Sequence, residues 1–301
     1  MILPGAADGG AATRAMMNTT RQVGEMQRLF VSGAMRSDPG RVRANNEDRV
    51  ACVIPREGDL AEGRGLLALV ADGMGGHAAG EVASLIAAET VLRVYYEARG
   101  TPPEGLAAGF AAANQAIHQR SRDDAACAGM GTTCTVLAVC DNRAFLAHIG
   151  DSRAYLLREG EIRQISDDDS LVGGLVRSGA ISAEEASHRP DRNVILKALG
   201  TAPVAEPAIW GDGMPLHSGD IFVLCSDGLS DLVEDARIAE IVRRLPPAGA
   251  CEALIGAALE AGGHDNVSVG VFAVSDTPPP PEAPARVTRT RRVSQPAAEA
   301  S

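Results

Sequence analysis

Three features of the sequence predict an α+β fold for this chain of 301 residues. Short strand-like segments separated by turn residues follow one another over residues 131–165, which is the pattern of an antiparallel meander. An apolar strand that ends in an Asp-Gly pair and leads into a helix occurs twice, over residues 66–98 and 219–233. With 45% hydrophobic and 22% charged residues, the chain can bury one large core or two small ones.

The first 27 residues are rich in Gly, Ala and Thr, and we expect a flexible N-terminal extension there. Residues 28–38 and 41–54 flank a Pro-Gly turn and predict a hairpin or paired strands. After the strand that begins at residue 66, helical periodicity predicts helices over residues 80–98 and 106–120. The apolar face of the first helix is expected to carry Val82, Leu85, Ile86, Leu92, Tyr95 and Tyr96.

The meander ends in a polar segment, residues 166–192, with two short helical patterns. Because this segment interrupts the β pattern before residues 193–200, we predict a flap beside a site. A helical stretch with a Pro-Pro break follows over residues 238–259, and an apolar strand over residues 266–274 closes a sheet. Residues 276–301 are rich in Pro and Arg without large apolar residues, so a disordered tail is expected.

The charge of the chain argues against several partners. With 39 acidic and 28 basic residues, the formal net charge is −11, which repels nucleic-acid phosphates and anionic membrane surfaces. No apolar run approaches the roughly 20 residues that span a bilayer, and the N-terminus lacks the order of a signal peptide. We therefore expect no nucleic-acid partner, no membrane association and, by default, a cytoplasmic protein that acts as a monomer.

The six cysteines are scattered and include no Cys-x-x-Cys pair. A chain of this length does not need disulfides for stability, so most of them are expected to be small buried hydrophobic residues. Cys225 lies two residues before Asp227, so its oxidation could affect a site there.

Carboxylates recur where predicted strands meet tight turns. Each is weak evidence alone, because most Asp-Gly pairs only make turns. Repetition is more informative, since strand ends can bring several carboxylates to one cation, and oxygen ligands without a His or Cys set favour Mg²⁺ or Mn²⁺. Two such ions roughly 3.5–4 Å apart can supply a bridging hydroxide for in-line attack on a phosphoryl group. The acidic candidates are Glu47, Asp48, Asp72, Asp151, Asp227 and Asp265.

A positive group would be needed to hold a phosphate dianion. Arg43 lies four residues before Glu47 and could bind phosphate with a bidentate guanidinium.

Six segments in a fixed order resemble the metal-dependent serine/threonine protein phosphatases of type 2C, in particular the bacterial branch. The resemblance covers about residues 28–275, which would be the catalytic domain, and implies a four-layer α-β-β-α sandwich with metals at one edge between the sheets. The segments are RVRANNEDR (41–49), ALVADGMGGHAAGEVAS (68–84), GMGTT (129–133), HIGDSRAYLLR (148–158), LCSDGLSD (224–231) and GHDNVSV (263–269).

The resemblance also implies roles for the acidic residues. Asp72 would bridge two core Mn²⁺ or Mg²⁺ ions, the Gly73 carbonyl would bind one of them, and Asp227 and Asp265 would complete the pair. Glu47 and Asp48 would act mainly through metal-bound waters. Asp151, with Asp227, would hold a third, weaker ion. The catalytic residues would be Arg43, Asp72 and Asp227.

Met74 stands where animal members of the family have a histidine. The group that protonates the leaving oxygen is therefore open: a metal-bound water, or His77, could donate the proton. His148, inside an apolar strand, is expected to be a hydrogen-bonded core residue. His188 and His264 remain open.

The implied function is hydrolysis of phosphoserine and phosphothreonine on proteins, opposing a bacterial eukaryotic-like serine/threonine kinase. The main alternative is a pseudophosphatase that binds phosphoproteins or a partner without turnover, although pseudoenzymes typically lose metal ligands. A structural cation-binding module would not explain Arg43 or the flap. The tail offers a basic-directed phosphorylation site at Ser294.

Overall fold

Two antiparallel β-sheets face each other, and helices cover their outer faces. The structure, a computed structural model, describes residues 29–55, 62–75 and 79–278. The predicted N-terminal extension, His77 and nearly all of the predicted tail, with Ser294, lie outside these residues.

The first sheet has five strands within the described part of the chain, in the order β1-β12-β11-β7-β8. All its neighbouring strands pair antiparallel. The strands are β1 (Phe30–Asp38), β7 (Arg153–Arg158), β8 (Glu161–Gln164), β11 (Ile221–Cys225) and β12 (Val267–Ser275).

The second sheet has seven described strands, five of which follow the order β10-β6-β5-β3-β2. Two short strands pair at its sides, β4 with β3 and β9 with β6. The strands are β2 (Asp48–Val53), β3 (Leu66–Met74), β4 (Gly131–Thr132), β5 (Cys134–Cys140), β6 (Arg143–Ile149), β9 (Ala208–Ile209) and β10 (Met214–Pro215).

Helices pack on the outer face of each sheet. Helix α1 (Ala79–Glu97) packs on the second sheet together with α2 (Pro102–Asp123). Short helices α3 (Leu171–Arg177) and α4 (Ala183–Ser187) lie in the predicted flap segment. After α5 (Asp227–Ser230), helices α6 (Asp235–Arg244) and α7 (Pro247–Glu260) pack on the first sheet. None of the helices in the described ranges is both long and apolar enough to cross a membrane.

Side-chain alternation along the strands separates three apolar layers. In β3, Leu67 and Leu69 face the helices, whereas Leu66, Ala68 and Val70 face the other sheet. In β11, Phe222 and Leu224 face the other sheet. The two outer layers and the layer between the sheets give the order α-β-β-α, so the predicted fold is confirmed.

The meander has the predicted strands, but they divide between the two sheets. Strands β5 and β6 pair in the second sheet, while β7 and β8 pair in the first. The chain crosses between the sheets at Gly150, Asp151 and Ser152. Strand spacing could not reveal this crossing, because a hairpin and a crossing between facing sheets can have the same local pattern.

Two local expectations were wrong. Residues 193–200 form isolated bridges at Ile195 and Leu199 and no continuous strand. In α1, Leu85 is exposed, and small residues such as Ala83 and Ala87 are buried instead. The helix packs closely against both the sheet and α2, and small side chains permit that approach.

Candidate active site

The alternation that builds the inter-sheet core also directs two acids into the gap between the sheets. Val50 in β2 and Val70 in β3 belong to the inter-sheet layer. Asp48 and Asp72 lie two residues from these valines, so they have the same side-chain orientation. The strand register pairs Asp48 directly with Asp72. One end of the inter-sheet layer is therefore acidic.

Asp227 comes to this end from the first sheet. It begins the short helix α5 immediately after Ser226, which follows β11. The Ser226 hydroxyl donates to Asp48 Oδ2 at 2.8 Å and accepts the backbone N–H of Ser268 at 2.9 Å. This buried hydroxyl connects the two sheets beside the acids.

Asp151 lies in the crossing between β6 and β7, and its residue is 9% exposed. Gly150 before it has φ +108°, and a Cβ there would lie 2.6 Å from Thr133 Cβ. The crossing therefore requires glycine at residue 150. The Thr133 hydroxyl lies 2.7 Å from the Ser152 hydroxyl, and the backbone N–H of Asp72 donates to Thr133 Oγ1 at 2.9 Å. These bonds fix the crossing against the strand that carries Asp72.

Arg43 and Asp265 form an ion pair at the exposed side of the site. Arg43 Nη2 lies 2.7 Å from Asp265 Oδ2, and the two side chains are 52% and 37% exposed. The other oxygen, Oδ1, accepts the backbone N–H of Asn266 at 2.8 Å. Both oxygens of Asp265 are thus engaged, but an exposed ion pair is typically worth only about 0–1 kcal/mol.

Gly73 lies where three segments meet. Its N–H donates to the carbonyl of Glu47 at 3.2 Å, and a Cβ on it would collide with the carbonyl of Gly80 at the start of α1. The Ser84 hydroxyl also donates to the Glu47 carbonyl at 2.6 Å. The close approach excludes any side chain at residue 73 and holds Glu47 beside the end of β3.

Burial raises the pKa of each acid in the gap. It raises the pKa of Asp48 to about 7, and that of Asp151, next to Asp227, to about 8. The pKa of Asp227 rises to about 6, through burial and then the charges of Asp231 and Asp265. Burial and the Asp48 charge raise the pKa of Asp72 well above its usual range. Ionised together, these groups repel one another, so a cation would stabilise them.

Three carboxylate oxygens in this gap are buried without a hydrogen-bond partner: Oδ1 of Asp48, Oδ1 of Asp151 and Oδ1 of Asp227. Buried polar atoms are normally paired, so these oxygens suit a ligand that accepts electron pairs. Across the described ranges, no three acidic, histidine or cysteine side chains are gathered tightly enough to hold one ion as they stand. To bind one ion together, the acidic side chains would have to rotate toward one another, and Asp265 would have to leave its ion pair with Arg43.

A cavity of about 600 Å³ separates these acids from the predicted flap. Asp151 and Asp227 line this cavity, and α3 contributes Val172 and Val176 to its lining. Arg153 and Asp168 also line the cavity, and Arg153 Nη2 binds Asp168 Oδ2 at 2.7 Å. The predicted flap segment therefore borders an open space that reaches the acids.

His148 is a buried core histidine, as predicted from its strand. Its Nδ1 lies 2.8 Å from the Thr135 hydroxyl, and its Nε2 lies near the carbonyls of Gly150 and Asp167. Burial lowers its pKa. Both ring nitrogens are engaged inside the fold, so His148 is not available to a bound substrate.

Two residues that touch the acids were not singled out from the sequence. Ser226 bonds Asp48, and the Asn266 side chain bonds the loop that carries Arg43. The only signal was their position immediately beside Asp227 and Asp265 in the motifs.

Comparisons with known proteins identify the family of this chain. The profile of the family Protein phosphatase 2C matches residues 41–255. Serine/threonine protein phosphatase PstP of Mycobacterium tuberculosis is 46% identical over 249 residues, covering 82% of this chain and 46% of PstP. The chain thus spans about half the length of that relative. Protein phosphatase PhpP of Streptococcus pneumoniae is 37% identical over 249 residues, covering 80% of this chain and 96% of PhpP.

A solved structure shares the fold. The crystal structure of the PstP catalytic domain in complex with two manganese ions has a TM-score of 0.72 and 41% identity. The aligned region covers 82% of this chain and 100% of that domain. The chain therefore belongs to the protein phosphatase 2C family, as its ordered motifs predict.

Proposed function

We propose that this protein is a metal-dependent phosphatase that hydrolyses phosphoserine and phosphothreonine on proteins. The observation that carries the proposal is the group of three buried carboxylate oxygens without donors, on Asp48, Asp151 and Asp227, around the end of the strand that bears Asp72. Such oxygens fit Mn²⁺ or Mg²⁺, which prefer hard oxygen ligands. The manganese pair in the related PstP domain supports the same assignment.

The proposed ligands of two core ions are Asp72, Asp227 and Asp265, with the carbonyl of Gly73. Asp151, with Asp227, would hold a third and weaker ion. Glu47 and Asp48 would act through ordered water, since Asp48 already accepts from Ser226. When bound, two such ions lower the pKa of water toward neutrality and neutralise charge on a phosphoryl group.

Arg43 would orient the phosphate. Its guanidinium is half exposed and paired with Asp265 across a 2.7 Å contact. A phosphate dianion offers a stronger, bidentate partner than an exposed carboxylate, so Arg43 can transfer from Asp265 to the substrate. That transfer would also free an Asp265 oxygen for a cation. The acids and Arg43 would thereby act as one unit.

His148 cannot protonate the leaving oxygen. His148 is enclosed with both ring nitrogens engaged, and Met74 follows Gly73 where a histidine would lie in animal members of the family. We propose that ordered water donates this proton.

The wider biological role is also a proposal. The names of the bacterial relatives support phosphoprotein substrates, and we propose that a serine/threonine kinase adds the phosphate that this protein removes. We further propose that it acts as a monomer, which size-exclusion chromatography with light scattering would test. A dimer at assay concentration would contradict the monomer proposal.

The decisive experiment is phosphate release from p-nitrophenyl phosphate and from a phosphothreonine peptide, with Mn²⁺, with Mg²⁺ and with a chelator. Metal-dependent release from both substrates is expected. A folded protein that binds Mn²⁺ yet releases phosphate from neither would overturn the proposal and favour the pseudophosphatase. The carboxylates present in the site favour the enzyme, because pseudoenzymes typically lose metal ligands.

A further inference from the structure

The loop between β1 and β2, residues 39–47, carries Arg43 and Glu47. Its middle is largely exposed, and Val42 is 67% exposed. Few packing contacts can therefore set the position of Arg43. Hydrogen bonds must hold the loop instead, and one of them runs from the Arg41 N–H to the Gly263 carbonyl at 2.8 Å.

The side chain of Asn266 supplies three of these bonds. Its Nδ2 donates to the carbonyls of Pro39 and Asn45, both at 2.9 Å, and its Oδ1 accepts the N–H of Glu47 at 2.7 Å. Asn266 is 5% exposed, and these three bonds engage both amide donors and the carbonyl oxygen. One buried side chain thus holds both ends of the loop.

Asn266 also adjoins the partner of Arg43. Its backbone N–H donates to Asp265 Oδ1 at 2.8 Å, while Asp265 Oδ2 accepts from Arg43. The same residue therefore sets the loop that bears the guanidinium and orients the carboxylate opposite it. We propose that Asn266 is a positioning residue that places Arg43 for phosphate, an inference that rests on the proposed function.

The chemistry of an amide is needed here. Aspartate has nearly the same shape, but its oxygens would face the carbonyls of Pro39 and Asn45 and lose both donor bonds. The bond to the N–H of Glu47 could survive. Asn266→Asp should therefore loosen the loop with little change in side-chain volume.

The chain provides a matched control in Asn114. Its Nδ2 donates to the carbonyls of Ala202 and Pro203 at 3.1 and 3.2 Å, and its Oδ1 accepts the N–H of Gly200 at 2.7 Å. It is 2% exposed, lies in α2, and fastens a loop that carries none of the candidate acids or Arg43. Asn114→Asp thus breaks the same kinds of bond without touching Arg43.

The test compares the wild type with Asn266→Asp, Arg43→Ala, the double variant and Asn114→Asp, using p-nitrophenyl phosphate and Mn²⁺. Asn266→Asp should raise KM about tenfold while kcat changes less than about threefold, the effect of a misplaced charged donor. The double variant should stay within about twofold of Arg43→Ala, because both changes remove one interaction. Asn114→Asp should leave KM within about twofold of the wild type.

Calorimetric binding of orthophosphate in Mg²⁺ gives a readout that does not need turnover. Asn266→Asp and Arg43→Ala should weaken this binding similarly, and Asn114→Asp should not. Thermal unfolding checks each fold, and Asn266→Ala replaces Asn266→Asp if the latter does not fold. A wild type that binds orthophosphate through Arg43 but hydrolyses nothing would refute only the proposed function.

Three results would overturn the inference itself. One is an Asn266→Asp variant that matches Asn114→Asp in both KM and orthophosphate binding. Another is a double variant in which the KM effect of Asn266→Asp adds in full to the KM effect of Arg43→Ala. The third is orthophosphate binding that does not depend on Arg43.

Discussion

Asp151→Asn should stabilise the metal-free protein, and the gain should grow with pH. The carboxyl is buried, and its Oδ1 has no hydrogen-bond partner. Burial and the Asp227 charge raise its pKa from 3.8 to about 8. Because the folded protein binds this proton more tightly than the unfolded chain, its contribution to stability is complete below pH ~4. It is lost as the pH rises toward about 8, the folded-state pKa.

The size follows from proton linkage. Between pH ~5 and ~7 the unfolded chain is ionised at this residue while the folded protein keeps the proton, and each pH unit costs about 1.4 kcal/mol. The stability advantage of Asp151→Asn over the wild type should therefore grow by about 3 kcal/mol over that interval. Asparagine has a similar shape and does not titrate there.

Urea unfolding in chelator at several pH values measures this difference. The exposed Asp167 lines the same cavity, and Asp167→Asn should stay within about 0.5 kcal/mol of the wild type throughout. Added Mn²⁺ should stabilise the wild type more than Asp151→Asn, because binding to the folded state raises stability. A wild-type-to-Asp151→Asn difference that stays constant from pH ~5 to ~7 would refute the reasoning.

Three further outcomes are expected. Asp227→Ala should lower kcat at least about a hundredfold in a folded protein, since it removes a proposed ligand of several ions; near-normal turnover would contradict the site. Ser226→Ala should destabilise the protein by about 1–3 kcal/mol in urea, because Asp48 Oδ2 loses its donor at 2.8 Å; an unchanged midpoint would show that the bond is dispensable. Cys225 should resist iodoacetamide and peroxide in the native protein, because it is fully buried and burial raises its pKa to about 12; rapid labelling would disprove this.

Some of this site could be predicted from local pattern. Asp72 lies near the end of β3, two residues after Val70, so strand geometry places the two side chains on the same side of the sheet. The same holds for Asp48 and Val50. What local pattern could not predict was that both strands face a second sheet at that edge. The family resemblance predicted that the two sheets face each other, because the fold of a family includes contacts between segments that are distant in sequence.

Other features depend on distant partners and left no usable signal. The crossing of the chain between the sheets at Asp151 depends on Gly150 packing against Thr133, which is 17 residues away. The loop bonds of Asn266 reach residues more than two hundred positions away in sequence. An asparagine after an acid before a strand is an ordinary turn residue, so its role becomes visible only with the fold.

The two ends of β11 carry acids whose hydrogen bonding differs. Asp220, just before the strand, is 1% exposed and accepts Arg158 Nε on Oδ1 at 2.7 Å and Arg158 Nη2 on Oδ2 at 2.6 Å. The N–H of His217 adds a third bond at 2.8 Å. Asp227, just past the other end, keeps a buried oxygen with no donor.

Asp220, at one end of the strand, is thus a fully compensated buried acid, whereas Asp227, past the other end, keeps one buried oxygen unpaired. An unpaired buried polar atom costs about 1–3 kcal/mol of stability. If both carboxylates served stability alone, we would expect both to be hydrogen-bonded in the way that Asp220 is. The burial of the apolar layers between the sheets and under the helices stabilises the fold enough to offset this destabilisation. The unpaired oxygen of Asp227 therefore suits a bound cation, which agrees with the metal site proposed at that end of the strand.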